Sequence, residues 1–235
     1  IKWTTLIRFE ETLQDQEIWN LAAKAGCCTL YYGMESANER VLTLMDKHAK
    51  TSVIQRNLHL AAKAGIWNHV MAFYGFPGET RDEALETRKF VIENQPVIHS
   101  VELFYFVAYR HTPMVRNPDK FGITIHKQED YDLPLDYYYT LKDPSTLSCL
   151  EAMQLCEEFY KNDFHPWAVR VNAREHVFLY ISKFGTNKLP QIYAQQTQAV
   201  GSPQGVSGLI TWPVAMGDGE DGKEGMSRVV SHGVG

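Results

Sequence analysis

The sequence predicts an α/β fold in which a curled parallel sheet is covered by helices. The stretch Ala-Ala-Lys-Ala-Gly occurs twice, at residues 22–26 and 61–65, and each copy precedes a short apolar segment that ends at a glycine, Gly33 or Gly75. This repetition indicates two successive helix-strand units. Parallel α/β folds bind ligands at the carboxyl ends of their strands. We therefore expect a functional site where small residues follow Gly33 and Gly75.

Four strands are predicted, because four segments are apolar through most of their length, as buried parallel strands are. They are residues 3–9, 29–33, 69–75 and 100–107. Helical patterns lie between them, at residues 13–25, 38–45, 52–64 and 80–94. Two parallel strands joined through a helix form a right-handed crossover. The order of the elements therefore predicts helices on the outside of the sheet.

Local signals mark the ends of these helices. Ser36 with Glu39, and Thr80 with Glu83, have the spacing of a capping box, in which two residues satisfy the first amide groups of a helix. The glycine that ends each Ala-Ala-Lys-Ala-Gly copy suits the left-handed residue that follows a helix. These two glycines therefore have a structural explanation that does not involve catalysis.

The pattern changes after the fourth strand. Residues 109–139 are rich in Pro, Asp, His and Tyr and predict a loop-dominated connection. A helix is predicted next, with Pro144 in its first turn. The apolar stripe of that helix comprises Cys149, Met153, Cys156 and Tyr160. Its two cysteines would lie about 10 Å apart and cannot form a disulfide with each other. A second helix is predicted at residues 173–184.

The chain is therefore divided into three predicted parts. Residues 1–140 form the α/β domain and residues 141–200 form a helical C-terminal extension. Nine of the sixteen glycines fall in residues 201–235, where serines and acidic residues are also frequent. We expect this last part to be a disordered tail, because it has too few apolar residues to form a core.

Composition and charge narrow the classes of function. The 235 residues are 44% hydrophobic, which is enough for a core, and a net charge of −5 provides no basic surface for nucleic acid. No run reaches the roughly 18 apolar residues of a membrane span. Four irregularly spaced cysteines do not suggest a disulfide scaffold, so we expect a cytoplasmic protein. Because the chain opens with Ile1 on an apparent strand, we also expect it to be a fragment.

Several short motifs occur in order along the first half of the chain. They are Ala-Gly-Cys-Cys-Thr-Leu-Tyr-Tyr-Gly-Met-Glu-Ser at 25–36, Val-Leu-Thr-Leu-Met-Asp-Lys at 41–47, Ala-Gly-Ile-Trp-Asn-His at 64–69, Gly-Phe-Pro-Gly-Glu-Thr at 75–80 and His-Thr-Pro-Met at 111–114. The ordered series resembles the radical S-adenosylmethionine (radical SAM) superfamily. It is most similar to the branch whose members often carry a cobalamin-binding domain before the barrel. The resemblance covers residues 3–125.

This resemblance implies a partial (βα)6 barrel, similar to a TIM barrel, that lacks its first two strands. Family members bind a [4Fe-4S] cluster through a Cys-x-x-x-Cys-x-x-Cys loop, and no such spacing occurs here. The cluster ligands are therefore expected upstream of Ile1, in another part of the same protein. With that cluster, the resemblance implies an enzyme that cleaves SAM to a 5'-deoxyadenosyl radical for hydrogen abstraction or, with cobalamin, radical methylation. The chain alone is expected to be inactive.

The resemblance also implies which residues bind the cofactor SAM. Glu35 would accept hydrogen bonds from SAM, although a carboxylate here also suits the start of a helix. Arg8 would pair with the methionyl carboxylate, or alternatively with Glu10 or Glu35 in a salt bridge. Phe73 and Gly75 would contact adenine through an aromatic ring and a close backbone approach. The resemblance implies two further candidate contacts to SAM, Ser36 and Lys47, although a helix cap and a surface charge explain them more simply.

Substrate contacts are expected after the last predicted strand, from Tyr109, Arg110 and His111. The resemblance does not identify the substrate, which could be a small molecule or a peptide. Two other hypotheses remain open from the residues alone. One is a degenerate barrel that serves as a binding module without redox chemistry. The other is an unrelated α/β enzyme in which residues 75–80 bind an anion at a helix N-terminus.

Overall fold

The principal sheet is parallel throughout. The computed structural model describes residues 1–126, 136–163, 174–188 and 191, and it contains four parallel strands in the order β1-β2-β3-β4. These strands are β1 (Trp3–Ile7), β2 (Cys27–Glu35), β3 (Trp67–Tyr74) and β4 (Ser100–Tyr105). The predicted parallel sheet is therefore confirmed, with strand limits that shift by one or more residues.

Helices connect these strands in the predicted order. They are α1 (Gln16–Lys24), the short α2 (Glu39–Leu44), α3 (Thr51–Lys63) and α4 (Arg81–Glu93). The main core lies between these helices and one face of the sheet, because alternate strand residues point to opposite faces. Its strand residues include Leu30, Tyr32, Val70, Ala72, Tyr74 and Leu103.

The ends of the helices confirm most of the predicted caps and C-terminal glycines. Gly26 and Gly65 follow α1 and α3 with φ angles of +103° and +78°, the left-handed conformation that was predicted. Thr80 and Glu83 form the predicted capping box of α4. The box predicted for Ser36 and Glu39 is wrong. Asn38 caps α2 instead, and its side chain accepts a hydrogen bond from the Val41 N–H at 3.0 Å.

A second sheet replaces part of the connection that was predicted as loop-dominated. It is antiparallel, in the order β5-β7-β6, and consists of β5 (Ala108–Tyr109), β6 (Ile123–His126) and β7 (Asp136–Leu141). A short helix, α5 (Pro113–Arg116), lies between β5 and β6. The loop prediction was wrong here because the strands are too short to produce a clear alternation. Cross-strand contacts and the aromatic cluster beneath the sheet hold it together instead.

The C-terminal extension begins with α6 (Cys149–Asn162), five residues after the predicted start at Pro144. Ser148 and Glu151 form a capping box, which fixes the start of α6 at Cys149. The buried stripe consequently differs from the predicted one and comprises Ala152, Leu155, Cys156 and Phe159. The second predicted helix is confirmed as α7 (Arg174–Phe184). The tail from residue 201 lies outside the described residues.

The outer edge of β4 is covered by α6. The Tyr160 hydroxyl accepts a hydrogen bond from the Leu103 N–H at 2.7 Å and donates one to the Leu103 carbonyl at 3.1 Å. Edge strands otherwise expose unpaired N–H and carbonyl groups. Tyr160 therefore satisfies the backbone of β4 at the place where a further strand would pair. None of the described helices has both the length and the apolar character needed to cross a bilayer.

Candidate functional site

Three of the predicted site residues lie at the carboxyl edge of the parallel sheet. Arg8 follows β1, Glu35 ends β2 and Gly75 follows β3. The strands are in register, with Ile7 opposite Tyr32 in β2. Because the three strands run in the same direction, their carboxyl ends meet at one edge. The expected common edge is confirmed, and contact with a ligand stays a prediction.

Glu35 forms an ion pair at this edge. Its Oε1 lies 2.8 Å from Lys47 Nζ, which also donates a hydrogen bond to the Gly33 carbonyl at 3.2 Å. The Lys47 and Glu35 side chains are 34% and 24% exposed. Lys47 is thus not the solvated surface charge suggested by its sequence position. It holds the carboxylate of Glu35 in place while leaving it partly accessible.

The backbone of β2 is adapted to this pair. Glu35 has a φ of +64°, and the pairing of β2 with β3 shifts register between Gly33 and Glu35. A Cβ atom at Gly33 would lie 2.8 Å from Glu35 Oε1. A side chain at Gly33 would therefore displace the carboxylate. The glycine is explained by the space that the Glu35–Lys47 pair requires.

The turn after β3 is held by a buried carboxylate. Glu79 Oε2 accepts hydrogen bonds from the Gly75 N–H at 2.5 Å and the Phe76 N–H at 3.3 Å. Glu79 is fully buried, and its other oxygen, Oε1, has no hydrogen-bond partner in the described structure. Burial raises the pKa of Glu79 to about 7, although the two backbone hydrogen bonds oppose this rise. Glu79 therefore stabilises the turn from inside the protein.

This arrangement bears on the anion-binding hypothesis for residues 75–80. An anion at such a turn would need free backbone N–H groups. The N–H groups of Gly75 and Phe76 are already bound to the side chain of Glu79. The geometry therefore contradicts that hypothesis.

The hydroxyl of Ser36 points away from the edge. Ser36 is fully buried, and its Oγ lies 3.0 Å from Thr87 Oγ1 and accepts a hydrogen bond from the Asn38 N–H at 3.1 Å. These contacts tie the end of β2 to α4. Ser36 thus has a structural explanation, although it differs from the helix cap that its spacing suggested.

Arg8 is exposed at the edge and forms no ion pair with the described residues. The alternative salt bridge with Glu35 is therefore not formed, because Lys47 occupies that carboxylate. The alternative pair with Glu10 is likewise not formed among residues 1–126. The guanidinium group consequently remains available to an anionic group of a ligand.

Phe73 belongs to an aromatic cluster between the principal sheet, α2 and the second sheet. Its ring centroid lies 5.6 Å from that of Phe106 and 6.4 Å from that of Phe76. The buried members of the cluster are Val41, Phe76, Met114 and Ile123. Phe73 itself is only half-buried, on the face opposite the main core. The cluster fixes the ring next to the carboxyl edge and leaves part of it accessible.

The three residues predicted to contact substrate follow β4 and lie at the second sheet. Tyr109 is in β5 and is 51% exposed. The Arg110 guanidinium lies 5.0 Å from the centroid of the Tyr137 ring, within the distance of a cation–π contact. His111 is exposed and has a φ of +66°. Their roles stay predictions.

A polar network that sequence analysis missed lies on the face opposite the main core. Ser100 Oγ accepts a hydrogen bond from Trp67 Nε1 at 2.8 Å and lies 2.8 Å from His69 Nδ1. His69 Nε2 is 3.4 Å from Glu102 Oε2. A His and a Glu within strands that are otherwise apolar were the signal that could have revealed it.

The described cysteines do not suit a metal centre. Cys27 and Cys28 begin β2, about 25 Å from the carboxyl edge at about 3.3 Å per residue. Burial raises the pKa of the Cys27 thiol to about 12, which disfavours the thiolate that an iron ligand must be. No group of three or more His, Cys, Asp or Glu residues among the described ones could hold a metal ion.

Comparison with known proteins agrees with the resemblance. Residues 3–91 match the family description of the radical SAM superfamily. This segment is therefore similar to members of that superfamily. Over 90 residues the chain is also 31% identical to an uncharacterized methyltransferase of Pyrococcus horikoshii. That match covers 38% of this chain and 19% of the methyltransferase, so the chain spans about a fifth of its curated relative.

Two solved radical SAM structures share the fold. TsrM, a methyltransferase from Kitasatospora setae with tryptophan substrate and a SAM analog bound, aligns at a TM-score of 0.56 and 12% identity over 86% of this chain and 47% of TsrM. OxsB, a cobalamin-dependent radical enzyme with aqua-cobalamin and SAM bound, aligns at a TM-score of 0.52 and 14% identity over 85% of this chain and 38% of OxsB. The expected barrel-type α/β fold is confirmed.

Proposed function

We propose that this chain is the SAM-binding part of a radical SAM enzyme. The observation that carries this proposal is the carboxyl edge of the parallel sheet, where a partly exposed carboxylate, Glu35, lies on the strand next to a left-handed glycine turn at Gly75. The match of residues 3–91 to the radical SAM superfamily supports it. So does the position of the site, because parallel α/β folds bind ligands at this edge.

Each residue at the edge suits one part of SAM. The Glu35 carboxylate accepts hydrogen bonds from the ribose hydroxyl groups, and Lys47 orients it. The Arg8 guanidinium pairs with the methionyl carboxylate. Phe73 lies against adenine, whose exocyclic amino group donates to a carbonyl oxygen of the Gly75 turn. Tyr109, Arg110 and His111 contact the substrate.

The described thiols do not fit the cluster that this chemistry needs. Cys27 is buried, protonated and far from the carboxyl edge, as shown above. We therefore place the three thiolate ligands of the [4Fe-4S] cluster in a part of the protein upstream of this chain. The contribution of this chain is to bind SAM, to orient it and to exclude water from it.

Cobalamin-dependent radical methylation is the proposed outcome for the whole protein. The Pyrococcus horikoshii relative is named a methyltransferase, and cobalamin occurs in the OxsB structure. The first observation supports methylation and the second supports cobalamin as a further cofactor. Hydrogen abstraction from the substrate is the other outcome. We place the protein in the cytoplasm, where reducing conditions keep its cysteines free. The substrate class is unassigned.

The test is anaerobic reconstitution of the full-length protein with iron and sulfide, followed by an assay for 5'-deoxyadenosine from SAM with dithionite as the one-electron reductant. A catalytic protein forms 5'-deoxyadenosine, and replacement of Glu35 with Ala reduces the yield. A reconstituted protein that binds no cluster and forms no 5'-deoxyadenosine would support the degenerate binding module instead.

A further inference from the structure

The C-terminal extension touches the Gly75 turn through one small residue. Ala152 is in the first turns of α6 and is only 1% exposed. A Cβ atom on Gly75 would lie 2.9 Å from the Ala152 Cβ, closer than such atoms ever approach. Gly75 also has a φ of +83°. The backbone of the turn therefore lies directly against α6, and a glycine is needed there for two independent reasons.

The other end of the same turn is tied to the residue before α6. The Leu147 N–H donates a hydrogen bond to the Glu79 carbonyl at 2.7 Å, and Leu147 is 2% exposed. Glu79 in turn accepts from the Gly75 N–H through its side chain. Residues 75–79 are thus held from inside by Glu79 and from outside by Leu147 and Ala152.

The helix that provides these contacts is itself firmly anchored. Ser148 and Glu151 fix its start through a capping box. The Tyr160 hydroxyl binds the backbone of Leu103 on β4. Arg88 of α4 forms an ion pair with Asp163 at the end of α6. Because both ends of α6 are attached to the sheet domain, the helix cannot move away from the turn easily.

We infer that α6 sets the shape of the nucleoside-binding site and that Ala152 is the positioning residue through which it does so. Ala152 does not touch the nucleoside; it acts through Gly75 by setting how far the turn projects toward the carboxyl edge. This inference rests on the proposed function, because it assumes that the turn contacts SAM. It extends that function to a helix outside residues 3–91, the segment that matches the superfamily.

A larger side chain at position 152 must displace the turn or the helix. Interiors are close-packed, so the two added methyl groups of valine have no free space between α6 and Gly75. The anchored helix resists the displacement more than the turn does. The turn is therefore expected to move toward the ligand and to obstruct the nucleoside.

The experiment compares Ala152→Val with Ala61→Val in the full-length reconstituted protein. Ala61 is a fully buried alanine of α3, so its replacement overpacks the same core away from the turn. The first readout is the dissociation constant of S-adenosylhomocysteine, measured by calorimetry. We expect Ala152→Val to weaken binding by at least about tenfold, since misplacement by about 1 Å is costly in a preorganised site, and Ala61→Val to leave it unchanged.

The second readout needs no ligand. Amide hydrogen exchange of residues 74–79 is expected to be faster in Ala152→Val and unchanged in Ala61→Val, while both variants keep cooperative thermal unfolding. Equal S-adenosylhomocysteine affinity in all three proteins overturns the inference. If the wild-type protein binds no S-adenosylhomocysteine, the proposed function fails, and the exchange readout alone shows whether α6 holds the turn.

A second pair of variants tests the same contact in case Ala152→Val does not fold. Gly75→Ala introduces both a clash with Ala152 and an unfavourable φ angle. Adding Ala152→Gly removes only the clash. We expect the double variant to recover part of the affinity that Gly75→Ala loses. No recovery would mean that Ala152 does not set the position of the turn.

Discussion

The ends of β2 and β3 look alike in sequence and differ in structure. Tyr-Gly occurs near the end of each strand, and a glutamate comes soon after the glycine: Glu35 is the last residue of β2, and Glu79 lies in the turn after β3. Glu35 is partly exposed and paired with Lys47 at the carboxyl edge. Glu79 is fully buried and accepts backbone hydrogen bonds. The same type of side chain is thus partly exposed at the carboxyl edge in one turn and supports the other turn from inside the protein.

The position of the glutamate relative to the glycine explains the difference. Glu35 comes two residues after Gly33, where the shifted register and a φ of +64° turn its side chain to the edge. Glu79 comes four residues after Gly75. This segment is long enough for the backbone to reverse direction, so the Glu79 side chain reaches back to the Gly75 N–H. Whether a glutamate near a strand end is exposed or buried therefore depends on the turn that carries it.

The largest effect is expected from Glu79→Ala. The substitution leaves the Gly75 and Phe76 N–H groups unpaired in the interior and opens a cavity, which costs about 3–4 kcal/mol of unfolding free energy. Glu35→Ala is the matched control, because its partly exposed ion pair contributes about 1 kcal/mol or less. Urea denaturation of both variants measures the comparison. Equal losses would contradict the division between support and ligand group.

The pH dependence of stability provides the second test. Burial raises the pKa of Glu79 from 4.5 to about 7, so the folded state favours the protonated carboxyl. Its stabilising contribution is complete below pH 4.5 and is lost as the pH rises to about 7. At about 1.4 kcal/mol per pKa unit, this loss amounts to about 3 kcal/mol at most. Glu79→Gln removes this dependence of stability on pH, because glutamine does not titrate.

This pH effect must be measured as a difference between wild type and Glu79→Gln. Burial lowers the pKa of His99 from 6.5 to about 4, so His99 contributes stability above pH 6.5 that is lost as the pH falls through 4. The two groups oppose each other over much of the same range. His99 is present in both proteins and cancels in the difference. A pH-independent difference between pH 4.5 and 7 would show that Glu79 does not titrate there.

A smaller effect is expected from Glu35→Gln, and it concerns binding rather than stability. Glutamine retains one carbonyl acceptor but loses the charge that pairs with Lys47. We expect S-adenosylhomocysteine affinity to fall about tenfold, the value of one charge-assisted hydrogen bond, with unfolding free energy nearly unchanged. Calorimetry and urea denaturation on the same preparation separate the two. Unchanged affinity would remove Glu35 from the ligand site.

The smallest effect on stability is expected from Lys47→Met. Methionine keeps an unbranched chain as long as the aliphatic part of lysine and removes the ammonium group that contacts Glu35 and the Gly33 carbonyl. Partly exposed pairs contribute about 0–1 kcal/mol, so the melting temperature should change little. Affinity for S-adenosylhomocysteine should nevertheless fall, because Glu35 is no longer oriented. A loss of stability without a loss of affinity would make Lys47 purely structural.

Sequence patterns predicted the parallel sheet chiefly because β2 and β3 are buried on both faces and are therefore apolar through most of their length. They also located Glu35 and Gly75, since the end of a strand is itself visible in the sequence. They did not reveal the role of Glu79, whose burial depends on α6, about 70 residues further along the chain. That contact is tertiary and leaves no local pattern.

Local signals also competed with one another. Pro144 suits the first turn of a helix, but the capping box of Ser148 and Glu151 determines where α6 begins. Ser36 has capping-box spacing with Glu39, yet the Ser36 hydroxyl forms a buried hydrogen bond with Thr87. Asn38 caps α2 instead. In both cases two residues fit the same local role, and packing against the rest of the protein decided between them.

The most direct test of the account is a crystal structure of the reconstituted full-length protein with SAM. We expect SAM at the carboxyl edge, with its ribose hydroxyl groups at Glu35, its carboxylate at Arg8 and its adenine beside Phe73 and the Gly75 turn. SAM bound at any other place, with Glu35 and Gly75 free of contact, would contradict it.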